Sequence, residues 1–198
     1  MRRVALGAVL VLGLVLAPAV AYAAYRATAG NSSNSIASGT LALSDNGTGA
    51  LFSLSGQQPN AASSTTNTRC IKVTSNGSLT STVRLYGTTG GTGLDAYAGL
   101  TITRGAYSPS EPAFGSCTNF TPDGASHLGM GAGVIYGGSL QDFPDAWSQG
   151  VVDPAPSSPE SWSQGESHVY KIQVTVADNR TAEGKTATQS FTWEAQSS

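Results

Sequence analysis

The chain has 198 residues, of which 39% are hydrophobic and only 11% are charged, against roughly 25% charged residues in an average soluble domain. It contains 26 Ser, 21 Thr and 24 Gly, and ten basic against twelve acidic side chains leave a net charge of −2. A basic excess that would neutralise phosphates is missing, which argues against a nucleic-acid-binding protein. The composition is not that of a coiled coil or a collagen, and the length suits one domain.

The N-terminus has the pattern of a secretory signal peptide. Arg2 and Arg3 precede an apolar run over residues 4–24, and small residues at Ala21 and Ala23 offer a cleavage site before Ala24. The run is about 20 residues long, so an uncleaved membrane anchor is the alternative. Because Pro18 breaks a helix just before the small residues, cleavage is favoured. We predict a signal peptide over 1–23, membrane contact only before cleavage, and a secreted domain over 24–198 located in the extracellular matrix or at the cell surface.

The predicted export bears on whether the two cysteines are free or bonded. Cys70 and Cys117 are the only two in the chain, and an even pair outside the cytoplasm is usually bonded. The bond would close a loop of about 48 residues, which the chain-entropy model values at roughly 4 kcal/mol. A reactive thiol or a metal ligand is the alternative, but neither cysteine has a His or another Cys at metal-ligand spacing. We predict a disulfide.

Period-2 alternation of apolar residues predicts strands throughout the mature chain. It is clearest over 168–177 and recurs over 186–195, and these two segments are expected to form a hairpin. Gly-rich residues 87–93 and Pro-containing residues 149–167 are expected to be surface loops. Further strands are predicted over 36–44, 50–54, 68–75, 80–86, 100–104 and 134–136. The pattern indicates an all-β fold, a single antiparallel jelly-roll-like sandwich with long loops.

The residues that could carry chemistry are few. His127 and His168 are the only histidines, and neither lies in the HExxH pattern of a zinc protease. No G-x-S-x-G elbow of a serine hydrolase is present. We predict a non-enzymatic protein with no catalytic residues, no cofactor and no metal ligands.

Tryptophans suggest a second possible function. Trp193 alternates with Phe191 and is expected in the core, whereas Trp147 and Trp162 flank the Pro-containing segment. Exposed aromatic rings on a sandwich can stack on sugars, so Trp147 and Trp162 are candidates for binding cell-wall or matrix polysaccharide. A carbohydrate-binding or adhesion module is therefore the alternative function.

Several short segments resemble the TasA/camelysin family, in its actinobacterial branch. The signal ends at an Ala24–Tyr25 junction and is followed by SIASGTLALS at 35–44 and IKVTSNGSL at 71–79. FTWEAQ at 191–196 is similar to the terminal strand of that branch. These pieces occur in the family's order, and the region 105–167 carries no matching motif.

The resemblance implies export through a dedicated signal peptidase and a jelly-roll sandwich that polymerises into biofilm-matrix fibres. In that family, an N-terminal segment of one subunit adds as a strand to the next, so the partner would be the protein itself. The corresponding donor here is a flexible arm over 24–35, with Ala24, Tyr25, Ala27 and Ile36 as candidate residues. The family name also carries a metalloprotease label, which is disfavoured because the sequence has no recognisable zinc site.

Overall fold

The computed structural model describes residues 26–29, 40–48, 51–52 and 65–197. The predicted signal peptide, its cleavage site at Ala23 and Ala24, and the candidate donor residues Tyr25 and Ile36 lie outside these ranges. Regular structure in the described part is β-strand, with three single turns of 3-10 helix at Asp95–Tyr97, Trp147–Gln149 and Arg180–Ala182. The strands are β1 Arg26–Ala29, β2 Leu43–Asp45, β3 Thr65–Ser75, β4 Ser81–Tyr86, β5 Thr89–Gly91, β6 Ala98–Tyr107, β7 Phe120–Pro122, β8 Val134–Ser139, β9 Val151–Val152, β10 Ser161–Trp162, β11 Ser167–Val176, β12 Ala187–Gln189 and β13 Thr192–Ser197.

Two antiparallel sheets pack together and enclose the core. The first sheet has the order β1-β13-β4-β10, with β9 also paired to β4. The second has the order β2-β3-β11-β6-β7, with β8 also paired to β6, and β5 and β12 form a separate two-stranded ribbon. The predicted all-β sandwich is thereby confirmed.

The core follows from the alternation seen in the sequence. On β11, Tyr170 and Ile172 are fully buried and face the first sheet, where Trp193 of β13 is 2% exposed. The rings of Tyr170 and Trp193 lie 5.2 Å apart between centroids, a distance at which aromatic pairs add to the burial energy. Trp193 is therefore a core residue, as its position in the strand pattern predicts.

The expected C-terminal hairpin is wrong. β11 pairs with β3 on one side and β6 on the other, so both of its edges are filled. The predicted strand over 186–195 is split into β12 and β13, and β13 lies in the opposite sheet between β1 and β4. The chain crosses between the sheets because the apolar faces of β11 and β13 must pack against each other, which strand neighbours in one sheet do not do.

The two segments expected as loops also contain strands. Residues 87–93 include β5, which pairs with β12. Residues 149–167 include β9 and β10, which both pair with β4. The second segment thus lies against the first sheet and brings its side chains to one end of the core.

A disulfide joins Cys70 and Cys117, which confirms the pairing predicted from the sequence. Cys70 lies on β3, and its N–H also donates to the carbonyl of Gly115 at 3.3 Å. The hydroxyl of Tyr107 donates to the carbonyl of Ser116 at 3.1 Å. The connection between β6 and β7, residues 108–119, is therefore attached to β3 as well as to its own strands; we call it the strap.

Replacing both cysteines, Cys70→Ser with Cys117→Ser, should lower the free energy of unfolding by about 4 kcal/mol, because the bond closes a long loop in the unfolded chain. Urea unfolding followed by Trp fluorescence measures the loss. Wild-type protein under reducing conditions is the matched control and should approach the variant. Equal unfolding midpoints for the unreduced wild type and the double variant would contradict the prediction, as would two titratable thiols in the unreduced wild type.

Candidate functional site

A charged residue occupies a core position on β6. Leu100, Ile102 and Arg104 alternate along this strand and all three are buried. Arg104 is 4% exposed and pairs in register with Tyr170 of β11. A buried charge is costly unless it is paired and hydrogen-bonded. The groups that neutralise Arg104 therefore form the candidate site at this end of the sandwich.

Three carboxylates surround the guanidinium. Arg104 Nε lies 3.3 Å from Asp153 Oδ1, Nη1 lies 3.4 Å from Asp123 Oδ2, and Nη2 contacts Glu160. Burial lowers the pKa of Arg104, but the neighbouring carboxylates, Asp153 first, outweigh it and raise the pKa above its ordinary value. The guanidinium is therefore a permanent cation at this position.

Asp153 is the most buried of these carboxylates. It follows β9 and is 2% exposed, and its Oδ2 accepts a hydrogen bond from Trp162 Nε1 at 2.8 Å. Burial raises the pKa of Asp153, while Arg104, and to a lesser degree His168, oppose that rise. The Asp153 carboxyl group is thus held between a cation and an indole N–H at the end of the core.

His168, at the start of β11, closes the network. Its two ring nitrogens lie 2.9 and 2.8 Å from Arg104 Nη2, and its Nε2 lies 3.0 Å from Glu166 Oε1. The ring also packs on Trp162 at 4.6 Å between centroids. His127 lies on the outer side of the cluster, 3.6 Å from the Asp123 carboxylate.

Asp153, Glu160 and His168 have ligand types that metals accept, and their ligand atoms lie within 4.8 Å of one another. Arg104 Nη2 contacts two of the three, Glu160 and His168. A metal ion at these ligands would have to displace the guanidinium that already neutralises them. The donor set therefore fits an ion network built around arginine better than it fits a metal centre.

Tyr170 adds a buried hydroxyl beside the network. Burial, followed by the neighbouring Asp153 carboxylate, raises the pKa of Tyr170 well above its ordinary value. The phenol therefore stays protonated at neutral pH, and it is not a ready nucleophile or base.

The two candidate sugar-binding tryptophans have different surroundings. Trp162 is fully buried, so the prediction of a surface role for it is wrong. Its indole N–H donates a hydrogen bond to Asp153 inside the sandwich. Trp147 is half-buried, and the guanidinium of Arg84 lies over its ring at 5.2 Å from the centroid. Only Trp147 of the pair retains some exposure, and one face of it already contacts a cation.

The candidate donor residues are placed in part. Ala27 lies in β1 and pairs in register with Ala195 of β13. Arg26–Ala29 of the predicted arm therefore form an edge strand on the protein's own first sheet, while Ala24, Tyr25 and Ile36 lie outside the described residues.

Sequence reasoning missed Arg104, Asp153 and Glu160. The available signal was the charge of Arg104 at a position where the alternation of Leu100 and Ile102 demands an apolar side chain. Such a residue predicts a buried partner of opposite charge, but it does not say which carboxylates, far away in the chain, come to meet it.

No protein-family model matches the chain, and no curated protein matches it significantly. In the part of the chain that the structure describes, no helix is long and apolar enough to cross a membrane.

Replacing the central cation, Arg104→Met, should lower the free energy of unfolding by about 3–5 kcal/mol near neutral pH, because it leaves the Asp153 carboxylate buried without its counter-charge. A carboxyl group whose pKa is raised by folding favours the folded state below its unfolded pKa, and that contribution is lost as pH rises through the folded pKa. The variant raises the pKa of Asp153 further, so its deficit should shrink on acidification. Urea unfolding at a series of pH values measures this.

The matched control for that experiment is Arg180→Met, which removes an exposed cation and should change stability by less than about 0.5 kcal/mol. The ion network would be contradicted if Arg104→Met lost no more free energy of unfolding than the control. It would also be contradicted if the loss stayed constant from neutral to acidic pH.

Proposed function

We propose that the protein is a secreted, non-enzymatic structural subunit that assembles into fibres of an extracellular matrix or cell surface by exchanging its N-terminal strand. The observation that supports this most directly is β1. It is a strand of four residues at the edge of the first sheet, and among the described strands β13 is the one that pairs with it. The TasA/camelysin resemblance of the sequence implies the same mode of assembly.

Strand exchange fits the energetics of this edge. Within the described part of one molecule, β1 is paired along one side, in the register from Arg26–Gln196 to Ala29–Trp193. The same bonds form when the β1 of a second copy occupies the place, so exchange costs little in hydrogen bonding. Each copy then donates one strand and accepts another, a head-to-tail arrangement that grows into a filament when it does not close.

The composition and the disulfide agree with an exported assembly. The Cys70–Cys117 bond is compatible with an oxidising compartment. Only 11% of the residues are charged, which leaves little like-charge repulsion to oppose the packing of subunits.

Binding of cell-wall or matrix polysaccharide receives less support. Trp162 is buried in the core, and Trp147 is half-buried beneath Arg84. The described residues do not present a pair of free aromatic faces on which sugar rings would stack.

A pair of introduced cysteines distinguishes exchange from a closed monomer. Ala27→Cys with Ala195→Cys places thiols on register partners of β1 and β13. If subunits exchange β1, oxidised fibres should give a ladder of covalent oligomers on a non-reducing gel, because each new bond joins two copies. The matched control is Thr82→Cys with Gln196→Cys, register partners on β4 and β13, which should cross-link only within one chain.

Electron microscopy and size-exclusion chromatography at high concentration complete the test. Strictly monomeric protein, in which every bond between the introduced cysteines of β1 and β13 is intramolecular, would contradict the proposed assembly.

A further inference from the structure

Three side chains from distant parts of the chain meet at the outer edge of β3. Asn46 directly follows β2, and its backbone N–H donates to the carbonyl of Lys72 at 3.1 Å. Glu111 belongs to the strap that the Cys70–Cys117 disulfide attaches to the same strand. Its Oε1 accepts from Asn46 Nδ2 at 2.8 Å, and its Oε2 contacts Lys72 Nζ. One carboxylate therefore holds an amine and a carboxamide side by side.

The amide of Asn46 is fixed at both ends. While Nδ2 donates to Glu111, Oδ1 accepts a hydrogen bond from the backbone N–H of Lys72 at 2.9 Å. A donor aimed at a carbonyl oxygen polarises the carbonyl and stabilises the negative charge that develops there during attack by a nucleophile. The Asn46 carbonyl thus already has the hydrogen-bond donor that would stabilise an oxyanion in acyl transfer.

From this geometry we propose that Lys72 and Asn46 form an intramolecular isopeptide bond, with Glu111 transferring the proton. The ammonium of Lys72 gives a proton to Glu111 Oε2, and the free amine attacks Cγ of Asn46. The Nζ–Cγ bond forms, and the backbone N–H of Lys72 stabilises the oxyanion on Oδ1. Glu111 then returns a proton to Nδ2, the Cγ–Nδ2 bond breaks, and the nitrogen leaves as ammonia. The second proton that Nζ gives up on becoming an amide nitrogen converts the ammonia to ammonium. The reaction needs no oxidant and no further reactant.

The reaction at this place is supported by proximity, because a carboxylate that can act as base is in contact with the amine. The hydrogen bond from Lys72, in the first place, lowers the pKa of Glu111, so the group is an ionised carboxylate and a weak base, and the transfer of the proton to it is uphill. Lysine amines are mostly protonated at neutral pH, which makes a general base in contact with Nζ a requirement. Holding amine, base and amide together replaces the encounter of separate groups.

Two simpler interpretations explain less of the geometry. An exposed Lys72–Glu111 ion pair contributes about 0–1 kcal/mol. It does not explain why the Asn46 amide is hydrogen-bonded at both its oxygen and its nitrogen. The Asn46–Gly47 sequence would also permit attack on the Asn46 side chain by the Gly47 backbone nitrogen. That N–H, however, already donates to Asp45 Oδ1 at 2.6 Å, and this hydrogen bond would have to break before the nitrogen could attack.

The test is the intact mass of the purified, disulfide-bonded protein, compared with the mass calculated from its determined N-terminal residue. The wild type should be lighter by one ammonia. Its protease digest should contain a branched peptide in which the segment with Lys72 is joined to the segment with Asn46. Lys72→Arg and Glu111→Gln should have the calculated mass and no branched peptide, whereas the matched control Lys185→Arg should retain both signals.

A wild-type protein that keeps its full calculated mass, both freshly purified and after prolonged incubation at neutral pH, would overturn the proposal. A loss of ammonia that persists in Lys72→Arg would overturn it as well, because the loss would then come from cyclisation at Asn46–Gly47 or Asn76–Gly77 and not from a bond to Lys72. A branched peptide that persists in Glu111→Gln would overturn the role given to Glu111.

Discussion

A positive charge placed among apolar side chains has to be neutralised where it stands, and in this protein that charge is the guanidinium of Arg104. The carboxylates that meet it come from two separate segments: Asp123 directly follows β7, and Asp153 and Glu160 lie at the two ends of the connection between β9 and β10. The ion network therefore does more than compensate a charge. It fixes the segment from β9 to β10 against the second sheet and closes one end of the sandwich, where apolar contacts alone would leave the pairing partners unspecified.

The strands were largely predictable from the sequence, and their partners were not. The alternation that predicted strands over 168–177 and 80–86 reflects burial of one face, which is a local property. Pairing depends on contacts between residues far apart, so the expected hairpin at the C-terminus gave way to strands in opposite sheets. The disulfide was predictable because the chain has two cysteines and its N-terminus has the pattern of an export signal. The ion network was not, because Asp153 and Glu160 lie in a segment whose prolines predicted a loop.

The two ends of the second sheet's strand β3 differ in how they are held. Near Thr65–Thr68 the strand is paired with β11, and the hydroxyls of Thr66 and Thr175 lie 3.0 Å apart. Toward Ser75 it is paired on both sides, by β11 and by β2, and the strap adds the disulfide and the Glu111 contacts. An open edge invites pairing with other chains, and here the strap and β2 cover the part of β3 that follows Cys70. The edge that we propose for exchange lies in the other sheet, at β1 and β13.

The Cys70–Cys117 bond limits how far the chain can extend when it is pulled at its two ends. The cysteines are separated by 47 positions, and a stretched chain gains roughly 3.4 Å per residue, so the bond removes about 160 Å of possible extension. Tension entering from the N-terminal side passes at Cys70 directly into Cys117, and β4, β5 and β6 lie outside the loaded path. A molecule of this design yields only a limited length under load, because the residues between the two cysteines cannot be extended while the bond is intact.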